Sequence, residues 1–158
     1  MKVRTITPFL TAAACAASVT AVVTTGTAQA ADDIRFGSPS GNIACGIFGE
    51  NYSDEPAFIR CEISEYTYTP PPRPARCLAP DGTPYPGSYG TVVYLSTAEG
   101  ARFGCGGGGT LGKATTSFLA YGATITYAGF TCTSARDGIR CGIGSEYFRI
   151  SRATYEFS

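Results

Sequence analysis

GFTCTSARDGIRCGI, residues 129–143, reads as two short strands folded onto each other. A four-residue loop, Ala135–Gly138, joins them, with Gly138 free to take the positive φ that such a loop asks of one residue. That loop makes Ser134 face Ile139, Thr133 face Arg140 and Cys132 face Cys141. Directly opposed residues on antiparallel strands hold their Cβ atoms about 4.5–5.5 Å apart, and a disulfide needs about 3.5–4.5 Å. The register therefore predicts a Cys132–Cys141 bond.

An earlier part of the chain repeats the plan. NIACGI (42–47) and FIRCEI (58–63) again give apolar-x-Cys, a polar turn and Ile-Arg-Cys-x-Ile. Cys45–Cys61 is accordingly expected to close a longer hairpin around GENYSDEP (49–56). Cys77 and Cys105 are left as the third pair, tying a proline-rich stretch to a glycine-rich one. A loop of about 15 residues closed in this way contributes about 3 kcal/mol by constraining the unfolded chain.

The rest of the sequence agrees with strands and turns. Short runs rich in Val, Ile, Thr, Tyr and Phe alternate with Gly, Pro, Asn, Asp and Ser, as in GTVVYLST (90–97) and TITYAGFTCT (124–133). EYFRISRATYEF (146–157) alternates too, with a short terminal helix as the other reading of its last turn. YTPPPRPARCLAPDGTPYPGSYG (68–90) holds too much proline for a helix or a central strand and is expected to be an extended loop. The fold class is therefore all-β: a small antiparallel sheet or barrel-like domain of β-hairpins with three disulfides, preceded by a cleaved signal peptide.

That signal peptide occupies residues 1–30. Lys2 and Arg4, an Ala/Val/Thr/Leu stretch and Ala28-Gln29-Ala30 are its three parts. The competing readings are a membrane anchor, against which the interrupting threonines stand, and a lipid-modified Cys15, against which Ala12 stands. After cleavage, residues 31–158 form one domain with six of the seven cysteines and no transmembrane segment. An even set of cysteines in an exported domain reads as three disulfides. Ten of the twelve Lys/Arg and all twelve Asp/Glu follow Ala30, a net charge of −2 that does not predict nucleic acid as a partner.

GGGGTLGK (106–113) nearly spells a phosphate-binding loop, but Ala114 stands where Ser or Thr should follow Lys113. The expectation is a flexible surface loop beside a disulfide. The chain has no histidine and no Cys-x-x-Cys pair, so neither a metal centre nor a cofactor is expected, and triads that use histidine are excluded. The six cysteines are expected to be oxidised, which removes a thiolate nucleophile. Asp54, Glu55, Glu62 and Glu65 are the carboxylates for a hydrolase reading, although such residues are usually solvated. Asn51-Tyr52-Ser53 matches a glycosylation sequon by pattern only. Tyr66, Tyr68, Tyr85 and Tyr89 lie in polar or proline-rich surroundings, where tyrosine is contact material for proteins and sugars or packs over proline rings.

FGSPSGNIAC (36–45), IRCEI (59–63), PPPRPARC (70–77), GFTC (129–132), GIRC (138–141) and FRISRATYEF (148–157) together resemble a family of small secreted actinobacterial proteins, many mycobacterial, classed as a domain of unknown function. The resemblance spans residues 34–157; it departs in the middle, where CGGGGTL stands in place of a C-x-G-D-T type segment. It implies export and a shared cysteine framework, and it offers no catalytic residue to carry over.

The leading expectation is a secreted, non-enzymatic β domain that binds an unidentified protein or an envelope glycan, either released or retained at the cell wall. Its expected surface joins Tyr66, Tyr68, Arg73, Arg76, Tyr85 and Tyr89 to the glycine-rich segment across Cys77–Cys105. Two alternatives stay open. One is an inhibitor of a secreted hydrolase that presents Arg73 or Arg76 from a preorganised loop; the other is a carboxylate-based hydrolase.

Overall fold

A computed structural model describes residues 33–50, 52, 56–107, 109, 111 and 117–158. The leader with Cys15, the sequon residues Asn51 and Ser53, the carboxylates Asp54 and Glu55, and Lys113 lie outside the described residues.

Ten strands are described: β1 (Asp33–Gly37), β2 (Ile43–Phe48), β3 (Phe58–Ile63), β4 (Val92–Ser96), β5 (Gly100–Phe103), β6 (Thr124–Tyr127), β7 (Phe130–Ala135), β8 (Gly138–Ile143), β9 (Glu146–Ile150) and β10 (Tyr155–Phe157). They form two antiparallel five-stranded sheets in chain order, β1-β2-β3-β4-β5 and β10-β9-β8-β7-β6. The all-β expectation holds in its sheet form, as two meanders packed together.

Alternation explains the packing. Ile43, Cys45 and Ile47 of β2, Ile59, Cys61 and Ile63 of β3, and Val93 and Leu95 of β4 point inward from the first sheet. Phe130, Cys132, Ile139, Cys141, Phe148 and Ile150 do so from the second, and all join one buried cluster. A fully buried side chain of this kind stabilises by about 1.5–3 kcal/mol. Period-two alternation places the intervening residues on the two outer faces.

The three disulfides are Cys45–Cys61, Cys77–Cys105 and Cys132–Cys141. Cys132 faces Cys141 and Ser134 faces Ile139 as the hairpin register requires. The connection is tighter than expected, because Ala135 also pairs with Gly138 and leaves only Arg136 and Asp137 in the turn. Gly138 has φ 130°, and a Cβ there would stand 2.3 Å from the Ile150 carbonyl oxygen, so only glycine lets this turn lie against β9.

The echo between the two Cys segments proves to be architectural. β2–β3 and β7–β8 are the second and third strands of their respective meanders, each crosslinked by a directly opposed cystine. At the C-terminus the alternating segment is no single strand and holds no terminal helix. It turns back at Ser151–Thr154 and pairs β10 with β9. Residues 64–91 carry one short 3-10 turn, Ala75–Cys77, and an isolated bridge between Leu78 and Pro84. Among the described residues no helix is long and apolar enough to cross a membrane.

Candidate binding groove

Four aromatic residues gather on the outer face of the first sheet, apart from the larger ring cluster around Phe103. Phe48 of β2 pairs across the strands with Phe58 of β3, and their rings stack with centroids 4.8 Å apart. Tyr52 folds back to 4.4 Å from the Phe48 ring, and Tyr94 of β4 stands 6.2 Å from Phe58. One pair further along, Arg60, Tyr94 and Arg102 face one another across β3, β4 and β5. Both guanidinium groups lie over the Tyr94 ring, at 5.7 and 5.3 Å. Cation–π contacts of this kind contribute about 0.5–1 kcal/mol when exposed and hold a guanidinium in a fixed pose. Glu99 accepts a 3.0 Å hydrogen bond from Arg102 Nε.

These side chains enclose an open groove of about 470 Å³, with Tyr52, Pro56, Phe58 and Tyr94 as apolar surface and Arg60, Arg102, Glu99 and Ser96 at its polar edge. Size and lining match what small-molecule sites need: apolar floor area and a few placed polar groups. Gly46 makes the floor possible, since a Cβ there would meet the Phe48 ring at 2.7 Å. Arg60 Nη2 pairs with Glu62 Oε1 at 2.5 Å, whereas Arg60 Nε is buried with no hydrogen-bond partner among the described residues.

The glycine-rich segment borders this face. The amides of Gly109 and Leu111 donate to Glu62 Oε2 at 2.6 and 3.1 Å, so they cradle a carboxylate of the protein itself. Two expectations are corrected here. Glu62 is buried, not solvated, because the two amides and Arg60 replace its water. Leu111 is buried against Ala44 and Phe48, so this part of the segment is not free surface loop.

The expected loop surface is assembled in part. Cys77–Cys105 brings the proline-rich and glycine-rich segments together, and Arg73 Nη1 donates to the carbonyls of Tyr85 and Cys105 at 2.8 and 3.3 Å. Three of the four tyrosines are half-buried. Tyr66 donates to the Tyr89 carbonyl and Tyr68 to the Gly90 carbonyl. Tyr68 and Tyr89 pack on Phe103, and Arg73 covers the Tyr89 ring at 5.1 Å. Tyr85 and Arg76 are exposed. Arg76 sits within the 3-10 turn, whereas a segment that adds to a protease cleft as a strand must be extended.

Among the carboxylates, Glu62 and Glu65 line different cavities. Glu65 pairs with Arg152 at 3.2 Å, both largely exposed. Their cavity, about 450 Å³, lies where the turn Ser38–Asn42 meets Arg136, Ser151 and Arg152. The SPSGN and ISR segments, at opposite ends of the chain, thus share one polar cleft. Sequence reasoning missed the aromatic groove altogether, although the alternation of Phe58 and Arg60 with Ile59 and Cys61 carried the signal that they point outward.

A family described as "Family of unknown function (DUF6636)" matches residues 16–156. No curated protein and no solved structure matches the chain.

Proposed function

The chain belongs to the DUF6636 family, and we propose that it is an exported, non-enzymatic module that binds an envelope glycan through the aromatic groove. The groove itself carries this reading: four aromatic residues, Phe48, Tyr52, Phe58 and Tyr94, bordered by donors and an acceptor in Arg60, Arg102 and Glu99. A pyranose ring has an apolar C–H face that fits an aromatic floor, and hydroxyls at its edge that need both donors and acceptors. The three disulfides support export, since such bonds persist in oxidising compartments. The actinobacterial origin implied by the SPSGN and ISR resemblance makes the cell envelope the compartment, and its polysaccharides the class of ligand.

Titration of the oxidised protein with tetrasaccharides of glucose, mannose and N-acetylglucosamine tests this. At least one is expected to bind saturably, and Phe58→Ala is expected to weaken it about tenfold, or ~1.4 kcal/mol. Thermal melts confirm that the variant remains folded. Absence of saturable binding, or binding that Phe58→Ala leaves unchanged, rejects the groove as a glycan site.

A further inference from the structure

We propose that the second sheet carries a second glycan site on the opposite outer face, making the module bivalent. This rests on the glycan reading of the first groove and extends it.

The repeat of the two meanders places the relevant residues. Arg60 precedes Cys61 on β3 and Arg140 precedes Cys141 on β8, each the third strand of its sheet and each on the outer face. Arg60 lies over Tyr94 of the next strand, and Arg140 lies over Tyr147 of its own next strand, β9, at 3.6 Å. The tyrosine is directly opposite in the first sheet and one step diagonal in the second, where Gly142 is opposite Tyr147. Gly142 leaves a dent that a side chain would fill, its Cβ meeting the Glu146 carbonyl oxygen at 3.0 Å.

A cavity of about 310 Å³ opens there, lined by Thr131, Thr133, Arg140, Gly142, Glu146 and Tyr147. Its chemistry is hydroxyl recognition. Thr133 pairs with Thr124 at 2.9 Å and Thr131 with Thr126 at 3.1 Å, a small grid of hydroxyls. Each is both donor and acceptor and keeps capacity for a ligand. The neighbouring Arg149 is held by Asp137 and Glu156. Arg140 makes no ion pair among the described residues; its guanidinium rests on the Tyr147 ring and lines the cavity. Among the described residues Tyr147 is the one aromatic lining this cavity, and its face is covered by the guanidinium. The first groove has Tyr52 and Phe58 beside its own covered Tyr94. The second site therefore takes sugar hydroxyls more than ring faces and is the weaker of the two.

Two sites facing away from each other cannot serve one sugar strand at once; they hold two. On a meshwork whose separate strands reach both faces, such bivalency raises retention by about 10²-fold or more without any new contact.

The test is an NMR titration of the ¹⁵N-labelled oxidised protein with the same three tetrasaccharides. Two separate groups of amide shifts are expected, one around Phe58 and Arg102 and one around Thr131 and Arg140. Arg140→Ser is expected to weaken the second group at least tenfold and the first less than twofold, with Phe58→Ala doing the reverse. Thr131→Val with Thr133→Val, which keeps strand propensity, is expected to act like Arg140→Ser. Shifts confined to the first group overturn bivalency and leave the groove reading intact. Shifts in neither group overturn both.

Discussion

The hydroxyl of Tyr68 donates to the Gly90 carbonyl at 2.6 Å, and its ring stacks on Tyr66 and meets Tyr155 edge-on. Burial pushes this phenol well above its ordinary range, and Tyr66 and Tyr155 act in the same direction. Tyr89 is raised as well, chiefly by burial, against the opposing pull of Arg76 and Arg73. A phenol with a raised folded-state pKa binds its proton more tightly when folded. Its contribution to stability is complete below the unfolded pKa near 10.0 and is lost as pH rises through the folded value. Urea midpoints measured from about pH 8 to 11 are therefore expected to hold and then fall. Tyr68→Phe is expected to cost about 1 kcal/mol at neutral pH, by loss of the Gly90 bond, and to fall less steeply in alkali. An unchanged alkaline slope in the variant would exclude Tyr68 as the responsible group.

Glu62 connects β3 to the glycine-rich segment, and its partners stand 47 and 49 residues further along the chain. Replacing it with Ala leaves the Gly109 and Leu111 amides without this acceptor and breaks the pair with Arg60. The expected loss is roughly 2–4 kcal/mol, with faster hydrogen exchange at those two amides. Unaltered exchange there would show that the segment is held by Leu111 packing alone. Distance along the chain also decides what could be read beforehand. The β7–β8 register is legible because a short connection leaves little choice of pairing: a four-residue loop and the two-residue turn inside it put the same residues opposite each other, Cys132 facing Cys141 in both. The β9–β10 turn is not. Ser151-Arg152-Ala153-Thr154 contains no Gly, Pro, Asn or Asp, and it is closed by Ser151 Oγ, which takes the Thr154 amide at 3.1 Å. The aromatic groove escaped notice for a third reason. Its rings come from three strands and the end of a hairpin, so no window of sequence contains it.

Two crosslinked meanders share one core, and a third crosslink lies outside it. That arrangement gives the cystines different exposure to reductant. Cys45, Cys61, Cys132 and Cys141 are each 0% exposed in the shared cluster. Cys77 is 0% exposed too, but its partner Cys105 is half-buried beside Gly106 and Gly107 and offers the one accessible sulfur of the six. Thiol–disulfide exchange needs a thiolate to reach a sulfur atom. In native buffer with a mild dithiol, Cys77–Cys105 is expected to open first, while the two core bonds open only with global unfolding. Closing a loop of 28 residues stabilises by about 3–4 kcal/mol on the chain-entropy account, so the singly reduced form should melt lower yet keep its β-sheet circular dichroism. Alkylation of freed thiols followed by mass spectrometry gives the order of opening, and raising urea should speed only the core pair. Core cystines that open as fast as Cys77–Cys105 without urea would mean that the sheets separate locally, and that the two outer faces do not sit on one rigid sandwich.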